Sequence, residues 1–281
     1  WINDFNLYLQ GITVMSNQVK KILIDNGVKI PIKVCGLGIN HFVSNSIFTP
    51  IHIKAKKYKF LHVSSCFPRK GVDVLLRSYF DKFTTNDDVT LIIKTFKNVH
   101  NNLDDLVSKL KKNNPLGPDI LILNMELNDQ EMGYLYSICD ALLAPSRGEG
   151  FGLPIAEAMY FGLPVVTTGW GGQLDFCNQS NSFLIDFNFV SSQSHSELDL
   201  SYWAEPSQSH LGDLMLSLYN SGPSFTSKKV ALAKDTISNF LWDNVVNTNI
   251  LFAQDLNYSS LDFTQKIGWM SSWNSKCGIA S

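Results

Sequence analysis

Fifteen consecutive residues, Pro145-Ser146-Arg147-Gly148-Glu149-Gly150-Phe151-Gly152-Leu153-Pro154-Ile155-Ala156-Glu157-Ala158-Met159, carry the densest chemistry in the chain. They read as a strand end, a glycine-rich turn and a helix start. Gly148, Gly150 and Gly152 let the backbone approach a ligand closely, and Pro154 suits the first turn of a helix. The unsatisfied amides of that turn, with the positive end of the helix dipole, form an anion site to which a phosphate belongs. Glu149 falls in the loop and Glu157 one turn inside the helix, two carboxylates at different heights over one mouth. Each can accept paired hydrogen bonds from vicinal hydroxyls.

The elements that must position these groups follow from hydrophobic periodicity. Phe60, Leu61 and Val63 form a short apolar run, after which Val72, Leu75, Leu76, Tyr79, Phe80 and Phe83 make one stripe of an amphipathic helix. The alternation recurs: Leu91-Ile92-Ile93 before Leu103, Leu106, Val107 and Leu110, then Ile120 to Leu123 before a helix near Asp129 to Ile138. Ala141 to Ala144 precedes a helix over Pro154 to Tyr160, and Pro164 to Thr168 follows. Short strands apolar on both faces and alternating with helices imply a parallel sheet covered on both sides, an α/β, doubly wound, Rossmann-like domain over residues 57 to 188. Such sheets bind ligands outside the carboxyl ends of their strands. On the flanks, Ile12 to Met15 and a helix ending at Asn26-Gly27, with Gly as its cap, add one strand and helix. Gly36 to Ile51 reads as a connection between domains. The serines from Ser191 to Ser196 read as a surface loop, followed by helices near Ser209 to Tyr219, Lys228 to Asn239 and Asp243 to Asp255.

The 281 residues, 44% hydrophobic and 17% charged, exclude disorder and suggest more than one ordinary domain. A net charge of -2, without a basic run, gives no footprint for nucleic acid or an anionic membrane. Five scattered cysteines without CxxC spacing argue against a disulfide framework or a zinc site, and point to a reducing, cytoplasmic setting. The chain opens on Trp1 and shows no secretory or membrane-spanning pattern; we read it as beginning inside a longer polypeptide.

Two glutamates seven residues apart around Gly-Phe-Gly-Leu-Pro resemble the donor-site motif of the retaining GT-B glycosyltransferases of the family-4 type, the glycosyl transferases group 1. The resemblance implies that Glu149 contacts the transferred sugar, Glu157 the nucleotide ribose, and Gly150, Phe151, Gly152 and Leu153 the diphosphate through their backbone. Phe60-Leu61-His62-Val63-Ser64-Ser65-Cys66-Phe67-Pro68-Arg69-Lys70-Gly71 resembles the family's first donor-domain strand and loop. Lys70 would then be a charge on the diphosphate, while Ser65 stands where the family usually carries Arg: either Arg69 substitutes, or the hydroxyl and loop amides suffice, or the site has lost catalytic strength. Asn124-Met125 falls where the family's backbone meets the nucleobase, and Gly171-Gly172-Gln173-Leu174-Asp175 resembles its Gly-Gly-x-x-Glu turn, with Asp for Glu.

The resemblance therefore implies the C-terminal half of a GT-B fold. Residues 1–45 would be the end of an acceptor domain and the connection, 46–258 the donor-binding domain, and 259–281 a linker and possible start of a following glycosyltransferase domain. It implies transfer from a nucleoside-diphosphate sugar to a saccharide or lipid-linked acceptor in surface-polysaccharide synthesis. The setting would be cytoplasmic, or peripheral at the inner face of the membrane. The acceptor domain of the parent chain would complete the site, with no nucleic-acid partner and little turnover by this chain alone. No Asp-x-Asp occurs, so no metal and no cofactor is expected. None of the six histidines falls where the family places a catalytic one, and His62 reads as a satisfied core histidine. The rivals are a non-catalytic nucleotide-sugar-binding or scaffold domain, to which Ser65 lends weight, and a GT-B-shaped epimerase or phosphorylase.

Overall fold

The structure is a computed structural model and describes residues 1–44, 48–192, 201–222 and 224–257. Helix α1 (Ile2–Tyr8), strand β1 (Ile12–Val14), helix α2 (Asn17–Asp25) and strand β2 (Ile32–Val34) come first, with β1 and β2 paired in parallel. Asn26 caps α2 and Gly27, at φ +97°, turns the chain away, so the cap is the residue before the expected glycine. A single 3-10 turn at Asn40–Ser44 follows.

The main alternation is β3 (Tyr58–Val63), α3 (Val72–Lys82), β4 (Val89–Thr95), α4 (Leu103–Asn113), β5 (Asp119–Asn124) and α5 (Asp129–Ile138). It continues with β6 (Ala141–Ala144), α6 (Leu153–Phe161), β7 (Val165–Thr168) and β8 (Phe183–Ile185). All six strands are parallel, in the order β5-β4-β3-β6-β7-β8. Alternate residues of one strand enter opposite cores. Phe60, Leu91, Ile93 and Leu143 pack toward Leu75, Tyr79 and Val107, while Leu61, Ile92 and Leu142 pack toward Leu135, Ile155 and Met159. This two-sided burial is why the strands show as unbroken apolar runs.

The Ser-rich loop expectation is corrected in part. Phe187 to Ser191 form β9 (Phe187–Ser191), which pairs antiparallel with β10 (Tyr202–Pro206). Four of the five residues of β9 are exposed, so no apolar alternation betrayed it. Residues 193–200 and 259–281, with the second-domain reading of the carboxyl end, lie outside the described residues. Helices α7 (Gln208–Asn220), α8 (Ser224–Ile237) and α9 (Trp242–Asn257) complete the described residues. The last returns to the first unit: a Cβ on Gly38 would lie 2.2 Å from the Trp242 ring, and one on Gly11 2.6 Å from Leu256. Among the described residues no helix is long and apolar enough to cross a membrane.

Candidate active site

β3 and β6 are neighbours, yet the chain builds β4 and β5 on one side before crossing to β6, β7 and β8 on the other. Their carboxyl ends therefore open at the switch point of the sheet, where α/β folds leave a crevice. Ser64, Ser65 and Lys70 enter it from β3, and Ser146 to Gly152 enter it from β6. Gly71 fastens one loop to the other: it sits at φ +68°, and a Cβ there would lie 1.9 Å from the carbonyl oxygen of Pro145. The Arg69 carbonyl accepts from the Arg147 amide at 2.7 Å and from Ser146 Oγ at 3.0 Å.

This docking brings Lys70 Nζ to 2.6 Å from Glu149 Oε1, with Arg69 Nη1 3.7 Å from Oε2. The Lys70 and Glu149 side chains are 14% and 10% exposed, so the pair is sheltered from screening. Burial raises the Glu149 carboxyl, but the Lys70 and Arg69 charges outweigh it and leave the pKa below the ordinary value. Arg69 thus approaches the carboxylate as a second cation. Ser65 is buried, and its carbonyl accepts from Asn98 Nδ2 at 2.9 Å. His62, Lys70, Ser146, Glu149, Gly152 and Pro154 border one small cleft. The amides of Gly150, Phe151 and Gly152 donate to no backbone acceptor among the described residues. Gly152, at φ +91°, turns the loop into α6.

The loop is braced from behind. The Gly172 amide donates to the Glu149 carbonyl at 2.8 Å, and a Cβ on Gly172 would lie 1.9 Å from the Gly150 oxygen. Ser16 caps α2 by accepting from the Val19 amide and donates its hydroxyl to the Gly150 carbonyl at 2.6 Å. Asp175 accepts from the Asn17 amide at 2.8 Å and places its charge at the start of α2. Phe151 turns its side chain away, packing on Phe176 and Phe240 at 5.0 and 5.6 Å.

Glu157 lies in the middle of α6, 6% exposed. Tyr136 Oη donates to its Oε2 at 2.6 Å, and His41 Nε2 lies 3.3 Å from Oε1. Asn124 and Met125 stand exposed at the end of β5, two strands out from β3. His62 is a core histidine, with Nδ1 2.7 Å from the Leu143 carbonyl and Nε2 2.7 Å from Ser64 Oγ.

Several residues here had no signal in the sequence. Arg147, 6% exposed, spends all five N–H groups: two on Asp73, two on Glu205 and one on the Pro68 carbonyl. Its guanidinium also lies 4.8 Å from the Trp203 ring centroid. Burial opposes its charge, but the Glu205 and Asp73 hydrogen bonds raise its pKa above the usual value. Ser16, Tyr136 and His41 were not singled out by the sequence either. Among the described residues no three His, Cys, Asp or Glu side chains converge as metal ligands.

A family model described as "Glycosyl transferases group 1" matches residues 44–199. The serotype-specific mannosyltransferase WbdA of Escherichia coli is 33% identical over 107 residues, which is 38% of this chain and 13% of that protein. The MMP alpha-(1->4)-mannosyltransferase of Mycolicibacterium hassiacum is 30% identical over 169 residues, 57% of this chain and 37% of that one. The chain therefore spans well under half the length of these relatives. Among solved structures, a glycosyltransferase from Rickettsia africae superposes with a TM-score of 0.72 at 20% identity, over 92% of this chain and 67% of that one. HepE of Anabaena, solved with UDP and glucose, gives 0.68 at 20% identity, over 92% and 65%.

Proposed function

Since the chain belongs to the group 1 glycosyl transferases, we propose that it is the donor-binding half of an enzyme that moves a sugar from a nucleoside-diphosphate sugar to an acceptor hydroxyl. The observation that carries this reading is the meeting of Lys70 and Arg69 on Glu149, at the switch point of the sheet, beside the amides of Gly150 to Gly152, which donate to no backbone acceptor among the described residues. Such a transfer breaks the bond between the anomeric carbon and the diphosphate, and negative charge grows on the leaving oxygens. Preorganised cations and amides that face that charge lower the barrier without reorganising. Lys70, Arg69 and the loop amides are placed for that task, Glu149 to accept from sugar hydroxyls, and Glu157 from a ribose. Lys70 and Glu149 neutralise each other across 2.6 Å; a diphosphate would draw the ammonium across and release the carboxylate for the sugar. Asn124 and Met125 belong to the nucleobase side in this reading, which requires neither metal nor cofactor.

Retention of configuration and a role in surface-polysaccharide synthesis complete the proposal, on the likeness to the mannosyltransferases. So does the division into the end of an acceptor domain, a donor domain and a following linker. For the first unit, the support is that β1 and β2 pair only with each other among the described residues, a two-stranded piece that is marginal alone.

The test is sugar transfer by the longer parent protein carrying Lys70→Ala or Glu149→Ala. Removing one such electrostatic contact lowers kcat by about 10²- to 10³-fold. Unchanged turnover in both variants would refute the catalytic reading and favour a binding domain without chemistry, the reading that Ser65 supports.

A further inference from the structure

Glu157 is an almost fully buried carboxylate whose two oxygens are each engaged by a different element, and one of the partners can lose its proton near neutrality. Tyr136, on α5, donates to Oε2 at 2.6 Å. His41, from the 3-10 turn that precedes the six-stranded domain, sets Nε2 3.3 Å from Oε1. Each carboxylate oxygen offers two lone-pair positions, so these contacts orient the group and still leave it able to accept from a diol. The imidazole is 28% exposed, enough for proton exchange with solvent, and its orientation is limited by Phe42, whose ring centroid lies 4.0 Å away.

We propose that His41 is a positioning residue for Glu157, and that through this contact the affinity for a nucleotide sugar follows pH in the neutral range. The inference rests on Glu157 being the ribose acceptor proposed above. Protonated, His41 necessarily presents an N–H to Oε1 in a charge-assisted hydrogen bond and adds a positive charge on the side of a ligand that carries two negative phosphates. Neutral, it loses that charge, and the tautomer with a bare Nε2 turns a lone pair toward the carboxylate.

The surrounding groups set where this happens. Glu157 on α6 faces the ring; α5 contributes Asp129 and Tyr136; Lys94 at the end of β4 feels the charges of Glu126, after β5, and of Glu157. Burial alone would lower the His41 pKa, but the hydrogen bond and charge of Glu157, with Asp129, raise it above the ordinary value. Burial lowers that of Lys94. Affinity is therefore highest on the acid side of the His41 transition and falls above it.

The experiment is calorimetric titration of the full 281-residue chain with UDP-, GDP- and ADP-sugars from about pH 6 to about pH 8.5. These donors have no phosphate proton that titrates in this range. With the donor that binds, wild type loses about tenfold in affinity across the range, the size of one hydrogen bond to a charged group. His41→Ala is weak and nearly flat. His41→Gln, whose amide keeps an N–H that does not titrate, recovers most of the affinity and stays flat. A flat wild-type profile, or a slope that survives in His41→Gln, overturns the proposal. If Glu157→Gln leaves affinity intact while Lys70→Ala weakens it, the ribose assignment has failed and the proposal with it. If Glu157→Gln weakens binding and His41→Gln keeps the slope, only the role of His41 has failed.

Discussion

His62 and Glu149 border the same cleft and are displaced from their ordinary pKa values by opposing effects. Burial lowers His62 from 6.5 to about 4, against the pull of the Leu143 carbonyl. In the unfolded chain it takes up a proton near its ordinary value, and in the fold only near 4, so protons favour the unfolded state between these limits. Stability should fall as pH drops from 6.5 to about 4, by on the order of 3 kcal/mol. His62→Gln should remove most of that loss in urea titrations; a variant with the same acid sensitivity would contradict it. Glu149, held below its usual value, contributes stability that is lost only at lower pH, as its own carboxylate protonates. At this scale His62 was legible, because it alternates inside a strand. Arg147 was not, because its meaning lies in Asp73 and Glu205, which are 74 and 58 residues away. Arg147→Met would take the guanidinium from Glu205 and leave Asp73 with Arg77 alone, and the loss of one member of a buried pair costs about 3 to 5 kcal/mol. Chemical denaturation reads that loss, and a cost within error of zero would refute it.

Among the elements, the loop from β6 to α6 gives the site its shape, and the turn after β7 holds it in place. Gly172→Ala would drive a methyl group into the Gly150 carbonyl, a backbone atom that can yield only by moving the loop. The sheet lies elsewhere, so we expect unchanged secondary structure by circular dichroism and at least about a tenfold loss of nucleotide-sugar affinity. Unaltered affinity would show that the brace is dispensable. Strands β3 to β7 were readable within about two residues because each is an apolar run covered by helices, and helices α3 to α6 because each buries a side under a strand; β8, three residues long, was not read. β9 and β10 were not readable. Most of β9 faces solvent, and the hairpin is held by Arg147, whose carbonyl accepts from the Ala204 amide at 3.1 Å. Nor was α1, seven residues long with none buried, whose register lies in no pattern.

Across the molecule, α9 and the turn before it tie the last described residues to the segment that follows β2. Asn40 Oδ1 accepts from the Trp242 amide at 2.8 Å, the Phe240 carbonyl accepts from the Ile39 amide at 3.0 Å, and Trp242 covers Gly38. The first unit in turn supplies Ser16 to the Gly150 loop, so α9 supports the site from a distance. Gly38→Val would overpack the Trp242 contact at a cost of about 1 to 3 kcal/mol. Thermal melting should show that loss, with cleavage appearing first between β2 and β3 under limited proteolysis; wild-type behaviour in both would deny α9 this role. The doubly wound sheet was legible at this scale from alternation alone. The return of α9 was not, because it depends on glycines at 11 and 38 lying beneath side chains more than two hundred residues away. The central claim is that the Lys70, Glu149 and glycine-loop constellation binds a nucleoside-diphosphate sugar. Calorimetric titration of the folded chain against UDP-, GDP- and ADP-sugars tests it most directly. The account predicts saturable binding of at least one, weakened about tenfold or more by Lys70→Ala; no heat from any of them, with the fold intact, would contradict it.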